Sequence, residues 1–450
     1  MFDSDATMMQ ANPQATPQKE WNVQPSEFSK LCSNPIRKIV DNIKKPATSS
    51  KTLIPLSLGW CLAMMFTLKR QLSAILGQLK LWLLTSLVIE KADPIIFVPD
   101  TCSSMKHNGY IHSAGSETAR AAIAQHYGNL RAPLTMDDII IASGCSGAIE
   151  IALQGLLNPG DNILLPKPAF PLYQAVCEAH KIQCRFYNLK PECNWEADLE
   201  HMQSLVDGNT KAILVNNPSN PCGSVYSMPH LKQILALAEL NKLPIIADEI
   251  YGDMVFGSNV FYPMATLTKT VPVIAVGGLA KQFLIPGWRV GWIMVHDRND
   301  ILKGVRTAYF KLSQNILGAN SLVQSVIPDL LTPIPGSAEE QSLAMFKKQY
   351  FTTLEDNAKF TIDTLLRIPG LEVVVPQGAM YAMVKVQTHI MTKIKDDFDF
   401  TQKLLDEESV FVLPGQCFGM TNYFRIVFSA PHEVLEDAYT RLAHFCHRHQ

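Results

Sequence analysis

Uninterrupted apolar runs recur through the middle of the chain, and segments with helical periodicity separate them. The runs predict seven strands, at residues 138–142, 162–165, 184–189, 211–216, 244–248, 271–276 and 290–295. Helices are predicted at residues 146–157, 199–206 and 228–241. Because the strands do not alternate apolar with polar residues, both faces of their sheet should be buried. The pattern predicts a large α/β domain in which a mostly parallel seven-stranded sheet lies between helices, with right-handed crossovers.

The pattern changes after about residue 300, where helical segments and short strands no longer alternate regularly. Helices are predicted at residues 346–366, 401–408 and 432–447, and strands at residues 372–375, 410–413 and 424–429. These elements indicate a second, smaller α+β domain.

We therefore divide the chain into five parts. They are a polar, disordered tail (1–20), an N-terminal arm that joins the small domain (21–59), an atypical apolar segment (60–107), the large domain (108–325) and the small C-terminal domain (326–450). Within the arm, Asn34-Pro35 begins an apolar-periodic run, which is typical of a helix start, and residues 53–58 read as a strand.

The segment 60–107 contains a 19-residue stretch, residues 71–89, in which only Lys80 is charged. A membrane-spanning helix needs about 20 apolar residues, so this stretch is at the limit. Its scattered Gln, Ser and Thr residues favour a helix that faces a core or an interface. A membrane contact remains the alternative.

Composition narrows the class of protein. The chain has 450 residues, 47% of them hydrophobic, and a formal net charge of −2, so nothing favours nucleic acid or an anionic membrane as partner. Its ten cysteines show no paired spacing, which is typical of reduced thiols in a cytosolic protein. The first 20 residues lack the features of a signal or transit peptide.

The segment 277–292 offers the most informative chemistry. Lys281 follows the predicted strand 271–276 in a turn rich in Gly and Pro, and Arg289 comes eight residues later. Such a turn lets the backbone approach a ligand closely. A lysine there can lose its proton and attack a carbonyl, because a low dielectric disfavours the ammonium form.

Three further strand ends carry complementary groups. The turn 143–147 (Ser-Gly-Cys-Ser-Gly) opens a helix whose free N–H groups can hold a phosphate. Residues 216–224 contain two Asn-Pro steps, which hold Asn220 in a rigid turn, and Asp248 ends the strand 244–248 three residues before Tyr251. A buried carboxylate needs a cation, and a protonated ring nitrogen would serve. Amine, acid, amide, hydroxyl and phosphate cradle together fit one cofactor, pyridoxal phosphate.

These blocks, in this order, resemble the class I aminotransferases of the fold-type-I pyridoxal-phosphate enzymes. The similarity rests on residues 34–37, 143–146, 216–224, 248–256 and the block around Lys281, and it extends over residues 21–59 and 108–450. It implies that residues 108–325 form the cofactor-binding domain.

The resemblance also implies a role for each site residue. Lys281 would bind the cofactor covalently and catalyse proton transfer, and Asp248 would pair with the ring nitrogen. The remaining implied contacts are Asn220 and Tyr251 on the phenolic oxygen, Gly144, Cys145, Ser146 and Arg289 on the phosphate, Phe170 stacked on the ring, and Tyr110 reaching a partner subunit's phosphate. Arg425 would clamp the substrate carboxylate, with Gly59 and Asn220 beside the substrate. No metal ligand is assigned.

The implied reaction is transamination of an aromatic amino acid, with tyrosine and 2-oxoglutarate giving 4-hydroxyphenylpyruvate and glutamate. The implied protein is a cytoplasmic homodimer, with a mitochondrial location less favoured. Two alternatives remain open. One is another class I aminotransferase, for alanine, kynurenine or a broad range of substrates. The other is a catalytically silent relative that the segment 60–107 attaches to a membrane.

Two departures from the family pattern bear on these alternatives. Gly59 is followed by Trp60-Cys61, where the family has an acidic residue and proline, and the segment that follows is longer than the family's. That segment is interpreted as a mis-spliced or mispredicted piece, a divergent helix, or a membrane or partner contact. The second departure is Gln282-Phe283, where relatives that act on tyrosine carry Arg-Trp. It could alter substrate choice without removing the lysine chemistry.

Overall fold

The computed structural model describes residues 51–56 and 107–450. Its strands are β1 (Ile54–Pro55), β2 (Ile139–Ser143), β3 (Asn162–Lys167), β4 (Gln183–Lys190), β5 (Glu196–Ala197), β6 (Thr210–Asn216), β7 (Ile245–Asp248), β8 (Val273–Gly278), β9 (Val290–His296), β10 (Leu371–Val373), β11 (Tyr381–Val386), β12 (Val410–Phe411), β13 (Leu413–Pro414) and β14 (Tyr423–Val427). Its helices are α1 (Glu117–Tyr127), α2 (Gly144–Leu156), α3 (Leu172–Ala179), α4 (Leu199–Ser204), α5 (Met228–Leu240), α6 (Lys303–Ser313), α7 (Ser321–Gln324), α8 (Ile327–Leu331), α9 (Ala338–Leu365), α10 (Asp397–Glu408) and α11 (His432–Arg448).

The large sheet has the strand order β2-β9-β8-β7-β6-β3-β4-β5. The pairs from β8 through β7, β6 and β3 to β4 are parallel. Strand β9 runs antiparallel to both of its neighbours, and the two-residue β5 pairs antiparallel at one edge. The predicted class, a mostly parallel sheet between helices, is confirmed. Strand β5 adds an eighth strand, which was not predicted because two residues are too few to show a strand pattern.

Alternate side chains of this sheet enter two different buried clusters. Ile139 and Ile141 pack in one cluster, and Ile140 packs in the other; Val273 and Ile274 divide in the same way. Each such side chain contributes roughly 1.5–3 kcal/mol when it is removed from water. Burial on both faces explains why the strands read as continuous apolar runs.

The second unit is a four-stranded antiparallel sheet with the order β10-β11-β14-β13, and helices α9, α10 and α11 contact it or one another. Phe400 stacks on Phe424 with ring centroids 4.8 Å apart, and Phe445 meets Phe400 edge-on. Strand β1 pairs in parallel with β12 beside this sheet. An α+β unit after residue 325 was predicted, and this sheet confirms that class of structure.

The structure corrects three details of the predicted elements. The run 410–413 is two strands, because β12 pairs with β1 while β13 pairs with β14. Strand β11 was not predicted. Helix α9 begins at Ala338 rather than at residue 346, since the Ser337 side chain accepts from the N–H of Glu340 and caps it.

The predictions for the tail, for most of the arm, for Gly59 and for residues 60–106 lie outside the described residues. Within residues 51–56 and 107–450, no helix combines the length and the apolar character that crossing a membrane requires.

Candidate active site

The carboxyl ends of the parallel strands meet at one edge of the large sheet. Asn216 of β6 lies beside Asp248 of β7, and Asp248 lies beside Val276 of β8, two residues before that strand ends. Lys281 follows three residues after the last residue of β8. Arg289 reaches the same edge because it immediately precedes β9, which runs in the opposite direction. The topology thus gathers residues that are up to 73 positions apart in sequence.

Asp248 is buried, with 3% of its surface exposed. Its carboxylate accepts hydrogen bonds from the Tyr173 hydroxyl at 2.5 Å and from the N–H of Ile250 at 3.2 Å, and the Cys145 sulfur lies 3.9 Å away. Burial raises the pKa of Asp248, and these donors and the charge of Lys281 offset only part of that rise. The carboxylate therefore sits where a further cationic partner would stabilise its charged form.

Lys281 is half-buried beside two tyrosines. Its side-chain nitrogen lies 5.6 Å from the centre of the Tyr251 ring, and its charge acts on the Tyr381 hydroxyl. The two tyrosine hydroxyls are 2.7 Å apart. Amine, acid and phenols thus form one cluster at the sheet edge.

Arg425 enters this cluster from the small sheet, on β14. Its guanidinium donates to the side-chain oxygen of Asn220 at 2.8 Å and lies between two rings, 4.4 Å from the centre of Tyr381 and 4.9 Å from that of Phe418. The residue is 5% exposed, and burial lowers the pKa of its guanidinium. The side-chain oxygen of Asn216 accepts from the N–H of Asn220 at 2.7 Å, so the rigid turn predicted there holds Asn220 as expected. A planar cation held this way suits a carboxylate.

Helix α2 begins directly after β2 and opens toward the same edge. Its N-cap residue, Ser143, makes no side-chain cap bond, and the first N–H groups of a helix have no partner within the helix. Gly144 has φ +72°, and the Arg289 guanidinium lies over it. A helix N-terminus with a guanidinium beside it is an anion site.

Gly144→Ala should therefore weaken binding of a phosphate-bearing cofactor by about tenfold, equal to about 1.4 kcal/mol. A Cβ there would come within 2.5 Å of the Arg289 guanidinium, which must move, and the positive φ adds strain. Gly147→Ala is the matched control in the same helix turn, since its Cβ would meet nothing closer than 3.7 Å. Fluorescence titration of cofactor into both variants measures the difference. Equal affinities would contradict the assignment of this turn as the anion site.

Several predicted site residues lie outside the buried cluster, among them Arg289, which is exposed. Tyr110 is 93% exposed, and Ser146 is an exposed residue of the first turn of α2. Phe170 is half-buried and packs edge-on against Tyr173 at 5.7 Å between ring centroids. Gly59 belongs to the part of the chain that is not described.

Sequence reasoning missed two tyrosines of the cluster. Tyr173 lies in the first turn of α3, after the carboxyl end of β3, which is where the strand-end rule would have directed attention. Tyr381 begins the unpredicted strand β11, and no local spacing distinguishes it. Both owe their position to packing between elements that are distant in sequence.

The residues present fit pyridoxal phosphate. A protonated ring nitrogen would supply the cation that buried Asp248 lacks among the described ion pairs. The cradle of α2 and Arg289 suits the phosphate, and Lys281 suits the aldehyde. With a mostly parallel sheet flanked by helices, such a site defines a pyridoxal-phosphate enzyme of fold type I.

Comparison with known proteins agrees with that class. The family model for aminotransferase class I and II matches residues 91–442. The chain belongs to this family, whose members use pyridoxal phosphate. It is 44% identical to a tyrosine aminotransferase of Dictyostelium discoideum over 96% of this chain and 98% of that one. It is 42% identical to the tyrosine aminotransferase of Mus musculus over 95% and 88%. Among solved structures, a tyrosine aminotransferase from Leishmania infantum superposes with a TM-score of 0.84 at 33% identity, over 96% of this chain and all of that one.

Proposed function

We propose that this aminotransferase transfers the amino group of L-tyrosine to 2-oxoglutarate, giving 4-hydroxyphenylpyruvate and glutamate. The observation that carries the proposal is that Arg425, hydrogen-bonded to Asn220, lies in the cluster of Lys281, Tyr251 and Asp248, where its guanidinium would suit a substrate carboxylate. Aromatic walls line the guanidinium, and the relatives described above are named tyrosine aminotransferases.

Each side chain has a distinct task in this proposal. Pyridoxal phosphate, when bound, supplies a ring that withdraws electrons from the carbon bearing the amino group. Arg425 binds the substrate carboxylate and fixes that carbon near the Lys281 amine. The amine removes the proton from this carbon, acting as a base. It then delivers the proton, as an acid, to the cofactor carbon that carries the aldehyde group in the free cofactor. Asp248 keeps a proton on the ring nitrogen by its negative charge, a large electrostatic contribution.

The remaining site assignments are part of the same proposal. Asn220 and Tyr251 would contact the phenolic oxygen, Phe170 would cover the ring, and Gly59 would lie beside the substrate. The phosphate would be held by Gly144, Cys145, Ser146 and Arg289. The support is the common edge of the sheet for the strand-end residues and the match to the family's motifs for the others.

We also propose an organisation for the whole protein: a cofactor-binding domain at residues 108–325 and a small domain at residues 326–450, assembled as a cytoplasmic homodimer. The exposed Tyr110 supports the dimer, because a ring 93% accessible in one chain is available to a partner's phosphate. The arm, residues 21–59, would belong to the small domain, and pairing of β1 with β12 supports this.

A substrate panel tests the proposed function. The purified protein, loaded with pyridoxal phosphate and supplied with 2-oxoglutarate, should show a kcat/KM for tyrosine at least about tenfold above those for alanine and kynurenine. A similar structure is an alanine aminotransferase from Pyrococcus furiosus, at 27% identity, so a preference for alanine is the sharpest contrary result. Turnover of none of the three would favour the catalytically silent alternative.

A further inference from the structure

Tyr381 brings the small sheet into contact with the edge of the large one. It is the first residue of β11, and the turn before it is anchored on the large unit: the N–H groups of Gln377 and Gly378 donate to the carbonyl of Gly223 at 2.7 and 2.9 Å. The N–H of Ala379 donates to the carbonyl of Met254 at 2.8 Å. The position of Tyr381 is therefore fixed by backbone hydrogen bonds rather than by its own side chain.

The register of the small sheet places Tyr381 next to Arg425. Arg425 pairs with Met383, and Tyr381 pairs with Val427, so Tyr381 and Arg425 are diagonal neighbours on adjacent strands. The guanidinium lies 4.4 Å from the ring centre. Tyr381 is 4% exposed, so water does not screen this contact strongly.

The hydroxyl of Tyr381 meets two groups of the large unit. It lies 2.7 Å from the Tyr251 hydroxyl, and the charge of the Lys281 amine acts on it. Tyr381 is therefore the residue that links the amine, the Tyr251 phenol and the carboxylate-binding arginine.

Two hydroxyls 2.7 Å apart form one hydrogen bond, so one of them donates its proton to the other and the second hydroxyl's proton stays free for another acceptor. Burial alone would raise the pKa of Tyr381, but the charges of Lys281 and Arg425 bring it below its usual value. Burial raises the pKa of Tyr251, and the neighbouring Tyr381 raises it further. Tyr381 is thus the more acidic member and the natural donor.

We propose that Tyr381 is a positioning residue of the transamination site, which directs the Tyr251 proton. As a phenol it donates to the Tyr251 oxygen and leaves the Tyr251 proton free for an acceptor in the site. When Tyr381 loses its own proton to solvent at alkaline pH, its phenolate accepts from Tyr251 and withdraws that proton. The inference rests on the proposed function for the role of Tyr251, but the hydroxyl pair itself needs neither substrate nor cofactor.

The charged and titratable groups that face the pair come from several elements. They are Lys281 after β8, Arg425 on β14, Asp248 at the end of β7, and the Cys417 thiol beside Arg425. Lys281 and Arg425 both lower the pKa of Tyr381, whereas Asp248 raises the pKa of Tyr251.

The first test uses cofactor-free protein. Ultraviolet difference spectra recorded with rising pH should show one phenolate that forms before the ordinary range near pH 10. Tyr381→Phe should abolish that early phenolate, while Tyr439→Phe should keep it. Tyr439 is the matched control, since it is also a buried, hydrogen-bonded phenol, 2.8 Å from the Thr361 hydroxyl in the small unit. An early phenolate that survives in Tyr381→Phe, or the absence of one in the wild type, would overturn the inference.

The second test uses the loaded enzyme. Tyr381→Phe should lower kcat about 3- to 10-fold at neutral pH, as expected for one lost hydrogen bond, and should shift the alkaline limb of the rate profile. The pH at which the visible absorbance of the bound cofactor changes should shift with it. Tyr439→Phe should leave both pH values in place. Unshifted profiles in Tyr381→Phe would contradict the inference whatever the preferred substrate proves to be, whereas a failed substrate panel leaves the phenolate titration intact.

Discussion

Lys281→Ala should lower transamination by about 10⁴-fold or more, to near the background rate. The amine is the group of the cluster that can both bind a carbonyl and carry a proton to and from carbon. Its loss should remove both functions, although Asp248, Arg289 and the N-terminus of α2 should still bind cofactor without a covalent bond. The measurement is kcat with tyrosine and 2-oxoglutarate, together with mass spectrometry after borohydride reduction of the loaded protein.

The control for this variant is Lys303→Ala, which removes an exposed lysine from the start of α6. It should keep the wild-type rate, and reduction should still attach the cofactor to Lys281. Two results would refute the role of Lys281: a rate in Lys281→Ala within tenfold of the wild type, or cofactor mass found on another lysine.

Much of the large sheet was predictable because its chemistry is local. A strand buried on both faces must be apolar throughout, and each run ended where polar residues begin: the predicted strand 244–248 is observed as Ile245–Asp248. The same rule located Asp248 and Lys281, since ligands bind beyond the carboxyl ends of parallel strands.

The small sheet was less predictable because partner choice is not local. Residues 410–413 form one apolar run, yet β12 pairs with β1 and β13 with β14, a division that only the three-dimensional neighbours impose. Strand β11 carries Lys385, half-buried near Glu372 at 3.1 Å, and this charge interrupts the apolar pattern.

The candidate site shows the same division. Asn220 and Arg425 belong to motifs and were predicted, and the structure brings them within 2.8 Å of each other. Tyr173 and Tyr381 belong to no motif. Their hydroxyls contact Asp248 and Tyr251 because α3 and β11 pack against the sheet edge. Such contacts depend on the packing of distant elements, which residue spacing along the chain does not show. The roles of all these residues in catalysis remain predictions.

Asp248→Asn should lower kcat by about 10²- to 10³-fold, because an amide cannot supply the negative charge that holds a proton on the cofactor's ring nitrogen. The shape and the hydrogen-bonding reach of the side chain are almost unchanged. The loss should therefore appear in kcat and in the visible absorbance of the bound cofactor rather than in the fold.

Glu249→Gln is the matched control, since Glu249 is the next residue and is also a buried acid. Its carboxylate accepts from the N–H of Met264 at 2.8 Å, away from the cluster. Burial, with help from Asp248 and Asp253, raises the pKa of Glu249 to about 8, so near pH 7 it is mostly protonated and an amide imitates it. This variant should keep kcat within about threefold of the wild type, as a near-neutral exchange.

The stability of the cofactor-free protein should not fall with kcat in Asp248→Asn. Burial raises the folded-state pKa of Asp248 above its unfolded value, so the folded protein holds this proton more tightly than the unfolded chain does. The resulting contribution to stability is present at low pH and is lost as pH rises from about 4, the unfolded value, through the raised folded-state pKa. The amide in Asp248→Asn would not titrate, so the variant should not lose this contribution as pH rises.

Cofactor-free Asp248→Asn should consequently melt at the same temperature as the wild type or higher, and added pyridoxal phosphate should stabilise it less. Thermal unfolding of both proteins, with and without cofactor, measures the two melting temperatures and the increase that the cofactor causes in each. A variant that melts lower without cofactor yet gains as much from it as the wild type would mean that Asp248 serves the fold and not the ring nitrogen. The melting temperatures distinguish a structural role from pairing with the ring nitrogen. Burial disfavours the charged acid in the empty site, whereas a cation beside it stabilises that charge.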